Sequence, residues 1–184
     1  MAQHGAFELV GGVGFCNAVR RALLSDIEAW APCEVVMRAN TSAQNDEYLA
    51  HRIGLIPFSC QGSGGEELTL RATGPCTVTA DMFTGPGFTS VHGGIEVVVL
   101  ADERQRVDMT VRFDKQVASK HARYATCAGV GMEAAGAHHV LRFTTNDGEA
   151  PRTALNRALD ALDTRVGHAL RELASEAPAP QSMC

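Results

Sequence analysis

Hydrophobic positions divide the chain into three stretches of different character. Near the amino terminus, Phe15, Ala18, Val19, Ala22 and Leu23 recur at helical spacing, with Asn17, Arg20, Arg21 and Leu24 on another face. An extended run follows from Cys33 to Arg38, rich in β-branched residues. A second helix is expected over 45–54. Asn45 caps it, Asp46 and Glu47 complement the positive end of its dipole, and Gly54 supplies a left-handed stop closed by Leu55. Pro57 prevents continuation.

The middle stretch reads as strands. Residues 68–70, 77–79 and 95–100 are β-rich, and over 106–113 Val107, Met109, Val111 and Phe113 alternate with Arg106, Asp108, Thr110 and Arg112. That alternation describes a half-buried antiparallel sheet. The last stretch has a strand over 140–145, a turn at 146–148 and a helix opened by Pro151. Leu155, Leu159, Leu162, Val166, Leu170 and Leu173 then form a stripe along a helix on the order of 35 Å long. Two readings of that stripe stand open: packing on its own sheet, or partial pairing with another molecule's helix. Glycine-rich loops are expected at 62–65 and 85–87, a flexible turn at 11–14, and a frayed tail over 177–184.

The 184 residues suffice for a core without staples, since a chain of this size buries roughly 70% of its unfolded surface. A formal charge of -5 disfavours direct nucleic-acid binding by the surface as a whole. No apolar run is long enough to span a membrane, and no secretory signal pattern opens the chain, so no membrane partner and an intracellular location are expected. The six cysteines are widely spaced and form no C-x-x-C pair, so reduced thiols are expected, with no metal and no cofactor. No phosphate loop, nucleophile elbow or magnesium-binding aspartate cluster is present, so no catalytic residue is assigned. One thiol arrangement stays open: Cys127 with His121, within the basic and aromatic run 120–124. The neighbours His138 and His139 would point to opposite faces of a strand and are poor joint ligands. Only two lysines, Lys115 and Lys120, stand beside many arginines, which fits either interface pairing or a coding bias.

Two segments carry a resemblance. Residues 17–25 (NAVRRALLS) and 45–57 (NDEYLAHRIGLIP) together resemble the signature of the assembly subunit of multisubunit DNA-dependent RNA polymerases. That family comprises the archaeal alpha-like assembly subunit, the eukaryotic third-largest subunit and the amino-terminal part of bacterial alpha; the D-E-x-x-A-H-R-x-G-L-I-P block favours the archaeal and eukaryotic branch. Residues 105–113 followed by Lys120 to Tyr124 resemble the family's strand and H-A-K-W motif.

The resemblance implies an α+β fold. A discontinuous dimerisation domain (1–57 and 138–176), built of a small sheet, two helices and the long terminal helix, would hold an inserted β-rich domain (58–137). It implies a non-catalytic scaffold that heterodimerises with a smaller alpha-like subunit and docks the second-largest subunit and small accessory subunits; a homodimeric alpha-like scaffold is the alternative. Asn17, Arg20, Arg21, Glu47, His51, Arg52, His121 and Arg123 would then face the large subunit. Leu155, Leu159, Leu162, Val166 and Leu170 would form the dimer contact. Three departures stand out. Only six residues precede Phe7, so the family's opening strand is expected to be missing or truncated; the cysteine-bearing insertion that holds zinc or an iron–sulfur cluster in some members is absent; and no bacterial-type DNA-binding module follows the long helix. The compact form resembles subunits of large DNA viruses or reduced eukaryotic lineages, which places it in nucleus, cytoplasm or virion according to source.

Overall fold

The computed structural model describes residues 2–60, 67–136 and 138–176. The glycine-rich stretch 62–65, the tail 177–184 and residue 137, where the expected insertion ends, lie outside the described residues. The architecture is α+β. Strand β1 (Gln3–Leu9) leads to helix α1 (Val13–Ser25), strand β2 (Glu28–Asn40) and helix α2 (Asp46–Gly54). Six strands follow: β3 (Phe58–Cys60), β4 (Glu67–Thr73), β5 (Cys76–Thr79), β6 (Phe88–Ser90), β7 (Glu96–Leu100) and β8 (Arg106–Val117). One 3-10 turn, Ala80–Met82, lies between β5 and β6, and after a second at Ala122–Tyr124 come β9 (Cys127–Ala135), β10 (His138–Thr145) and the long helix α3 (Pro151–Glu176).

The sheets among the described residues are small and antiparallel. One has the order β1-β10-β9, another β2-β8-β4, and two ribbons pair β3 with β6 and β5 with β7. Residues before Phe7 take part: β1 runs beside β10 from Gln3↔Thr145 to Leu9↔His139. The β9–β10 register shifts between Arg142 and Thr144, where Gly129 takes a φ of 60° that a side chain would resist.

Two hydrophobic clusters form. The first joins Val19, Ala22 and Leu23 of α1, Cys127, Leu141 and Phe143 of the sheet, and Ala154, Leu155 and Ala158 of α3. Alanines at Ala22, Ala154 and Ala158, all fully buried, let the two helices approach closely. The second cluster fills the space beneath β2-β8-β4. It holds Val107, Met109, Val111 and Phe113 of β8, together with Leu49 and Ile53 of α2. The alternation read over 106–113 therefore holds, except that Thr110 on the outer face is also buried. Each cluster draws on both sides of residue 57: α2 contributes to the second, and Cys127 of β9 to the first.

Two local expectations are corrected. The inward face of α1 is Cys16, Val19, Ala22 and Leu23, whereas Phe15 is 47% exposed. Cys16 is a small apolar residue at the same helical spacing, and burying it turns Phe15 outward. At α2 the Asn45 side chain does cap, its Oδ1 accepting from the Tyr48 N–H at 3.0 Å. Gly54, however, is helical and not left-handed. The helix closes at Leu55 in a right-handed conformation, its N–H bonding to the Arg52 carbonyl at 3.1 Å. Leu55 itself is 51% exposed. Pro57 two residues on, which has no N–H and restricts Ile56, ends the helix.

Candidate functional site

The first group of singled-out residues lies on α1. The Asn17 Oδ1 accepts from Arg20 Nε at 3.0 Å, which holds both side chains on the same face. Arg21 is exposed and lines an open groove of about 930 Å³ between α1, the end of β8 and α3. The groove is built of internal ion pairs: Arg165 on α3 bonds to Asp26 after α1, and Lys115 on β8 lies 2.8 Å from Glu28 on β2. Arg21 joins none of these pairs, so its charge is presented outward.

The second group gathers around α2. Glu47 and His51 are exposed on its outer face. Arg52 is turned to the protein, its Nη1 donating to Tyr48 Oη at 3.2 Å and its Nη2 to the Glu96 carbonyl. It thereby ties α2 to β7.

The second 3-10 turn brings His121 and Arg123 to the same region. The guanidinium of Arg123 donates to the Pro32 carbonyl at 2.6 Å, to the Cys33 carbonyl at 3.4 Å and to His121 Nδ1 at 3.2 Å. Those carbonyls belong to the free edge of β2, so the arginine covers polar groups that an edge strand otherwise leaves open. Its carbon Cζ also stands 3.8 Å from where a Cβ on Gly54 would lie. The motif over 45–57 and the motif over 120–124 thus meet through Arg123. Next to it, Tyr124 is buried and donates to Asp114 at 2.6 Å. Burial, aided by the Asp114 carboxylate, pushes its phenol up to about 12.

The third group is the α3 stripe, which changes character along its length. Leu155 is buried in the first cluster, and Leu159 and Leu162 pack partly against it. Beyond them the stripe leaves the body of the chain: Val166 is 50% exposed, Leu170 61% and Leu173 65%. The structure also exposes Val10 and Val13 beside Phe15. Helical spacing alone does not mark these three side chains as exposed.

The Cys127/His121 arrangement is overturned. Cys127 is buried in the first cluster with Thr126 as its hydrogen-bond neighbour, and burial pushes its thiol up to about 11. A thiol so raised is protonated near neutrality and is not a nucleophile. His121 has its Nδ1 engaged by Arg123, and the thiol that shares its surface cup is Cys33. Among the described residues no group of three or more histidine, cysteine or acidic side chains is placed to hold a metal, and no helix is long and apolar enough to cross a membrane.

No family model matches the chain. Over 127 residues it is 31% identical to DNA-directed RNA polymerase subunit Rpo3 of Methanocaldococcus jannaschii, covering 67% of this chain and 66% of that protein. It is 32% identical over 103 residues to the subunit 3 of DNA-directed RNA polymerases II, IV and V of Arabidopsis thaliana, covering 54% of this chain and 29% of the relative. With the human subunit RPAC1 of DNA-directed RNA polymerases I and III it shares 41% over 71 residues, covering 34% and 20%. The chain therefore spans no more than 66% of the length of any of these three relatives. All three come from cellular organisms, and they give no support to a viral source.

Proposed function

The chain belongs to the Rpo3-type subunit family of DNA-directed RNA polymerases, and on that premise we propose that it is a non-catalytic scaffold for polymerase assembly in transcription. The observation that carries this reading is the α3 stripe, whose first half is covered by its own chain and whose second half is not. An amphipathic helix that leaves its core with the apolar side bare is marginal alone and is stabilised by burial against a partner. The proposed partner is the smaller alpha-like subunit, with Val166, Leu170 and Leu173 at the contact and Leu162 at its margin. Leu155 and Leu159 would act indirectly, by seating α3 on α1.

The large-subunit face is proposed on Asn17, Arg20, Arg21, Glu47 and His51, with His121 beside them. Arg52 and Arg123 would shape that face from behind, since their guanidinium groups bond to β7 and β2. The two hydrophobic clusters support a discontinuous platform carrying a β-rich insertion, with β2 and α2 joined to the insertion and β9 to the platform. An intracellular location and small accessory subunits complete the reading. Affinity purification of the chain from its native source, with mass spectrometry of the associated proteins, tests it. A smaller alpha-like subunit and the second-largest polymerase subunit are expected; their absence from a stably expressed bait overturns it.

A further inference from the structure

The outer face of the β2-β8-β4 sheet carries an ordered charge pattern that the proposed function does not use. At one end Arg112 on β8 lies between Glu34 on β2 and Glu67 on β4, at 3.0 Å and 2.7 Å. At the other end the signs are reversed: Asp108 on β8 lies between Arg38 and Arg71, at 4.0 Å and 3.3 Å. Between the two rows, Val36, Thr110 and Thr69 stand opposite one another in the register. Val36 is 39% exposed, and the Thr110 hydroxyl is buried without a hydrogen-bond partner. In β4 and β8 the opposite charges are four residues apart on one face, about 13 Å along the strand; in β2 the register shifts between Met37 and Ala39, and Arg38 reaches Asp108 from that irregularity.

This pattern complements itself under one symmetry operation only. Consider two copies facing each other about a two-fold axis that runs across the strands, through the Val36 row. Glu34 then meets Arg38 of the second copy, Glu67 meets Arg71, and Arg112 meets Asp108, and each contact occurs twice. A two-fold axis along the strands would instead set Glu34 over Glu67, which is repulsive. We infer that this sheet face is a weak, salt-sensitive contact between two copies of the chain, joined with their strands antiparallel. Its area, roughly 300 Å² per copy from strand spacing and rise, is far below the ~800 Å² per partner of a standard stable interface. The contact is accordingly transient, and it forms at high local concentration. The charges remain partly exposed, so added salt weakens it.

The test is sedimentation equilibrium of the full chain at high concentration, in low and high salt, with charge-swapped variants in the Leu170→Asp background so that the α3 stripe is silenced. Thermal unfolding checks that each variant is folded. Glu34→Lys with Glu67→Lys in one chain, and Arg38→Glu with Arg71→Glu in another, each put like charges together across the axis. Each alone is expected to lose the salt-sensitive association by about tenfold or more. An equal mixture of the two is expected to regain it, because both halves of the contact are again complementary. The neutral pair Glu34→Gln with Glu67→Gln is expected to weaken association by less than either charge swap, since it removes attraction without adding repulsion. Absence of salt-sensitive association in the parent chain overturns the inference, as does association that ignores the swaps or a mixture that stays monomeric. The scaffold reading is independent of all three results.

Discussion

Arg123 and Pro32 are 91 positions apart in the chain, yet an Arg123 Nη1 donates to the Pro32 carbonyl at 2.6 Å. The contact joins the second 3-10 turn to the free edge of β2, and the same guanidinium packs beside Gly54 at the end of α2. Removing it leaves the Pro32 carbonyl, which is part-buried, without its donor. Hydrogen bonds to a charged donor contribute about 1.5–3 kcal/mol. Arg123→Met, which keeps the stem but not the fork, is therefore expected to lower the unfolding free energy by an amount in that range. Arg123→Lys should recover part of it, since one point charge cannot reach all three acceptors. Denaturant titration of the three chains checks the order; equal midpoints would show that the clamp is not structural.

The two halves of the α3 stripe should separate stability from assembly. Leu155 is buried against α1 and the sheet, so Leu155→Ala is expected to cost the isolated chain about 2–5 kcal/mol. Leu170 is 61% exposed, and Leu170→Asp should leave the denaturation midpoint of the isolated chain close to its starting value. The same change should abolish capture of the smaller subunit, because in the complex it would bury an unpaired carboxylate. Size-exclusion chromatography of co-expressed chains reads the second effect. Retention of a full heterodimer by Leu170→Asp would place the contact elsewhere.

Alkaline pH should expose two buried acids in turn. Burial raises the Cys127 thiol from an ordinary value near 9 to about 11, and burial with Asp114 raises the Tyr124 phenol from 10 to about 12. Both groups fold in their neutral forms. Their effect is constant below the unfolded value and turns destabilising once the unfolded chain can ionise and the folded one cannot. Stability is thus expected to fall as pH rises from about 9, through the folded values of about 11 and 12. Cys127→Ala should flatten the first part of that decline and Tyr124→Phe the second. Thermal midpoints measured from pH 8 to pH 12 test this, and profiles unchanged by both substitutions would refute it.

Much of the architecture was legible because local signals agreed with burial. The Asn45 cap, the β8 alternation and Pro151 at the first turn of α3 each state their conformation within a few residues. The failures have local causes too. Phe15 and Cys16 are neighbours on α1, and periodicity alone does not say which one turns inward; the sheet beneath, with Cys127 and Leu141, decides it. Gly54 looked like a left-handed stop, but Pro57 ends α2 without one. At the candidate site, the motif residues stand out in the sequence as a set, while their contacts do not. Nothing near Arg123 in the sequence announces that its acceptors lie on β2, nor does the α3 stripe mark where its own core ends.

Arg21 provides the sharpest test of the proposed large-subunit face. It is exposed on α1 and lines the groove formed with α3, while the neighbouring cations Lys115, Arg157 and Arg165 are each paired with a carboxylate of the chain. Reversing Arg21 therefore breaks no internal ion pair, and Arg21→Glu should shift the unfolding free energy by no more than about 0.5 kcal/mol, as for other surface changes. If Arg21 meets a complementary carboxylate on the second-largest subunit, the reversal sets two like charges together in a desolvated contact, a penalty of several kcal/mol. Co-purification should then recover the smaller subunit in normal amount and the large subunit at less than about a tenth of it, since each 1.4 kcal/mol is tenfold in affinity. Arg21→Gln, which only removes the charge, should fall between the two. Undiminished recovery of the large subunit with Arg21→Glu would exclude this end of α1 from the docking face and leave α2 with His121 as the surface to examine.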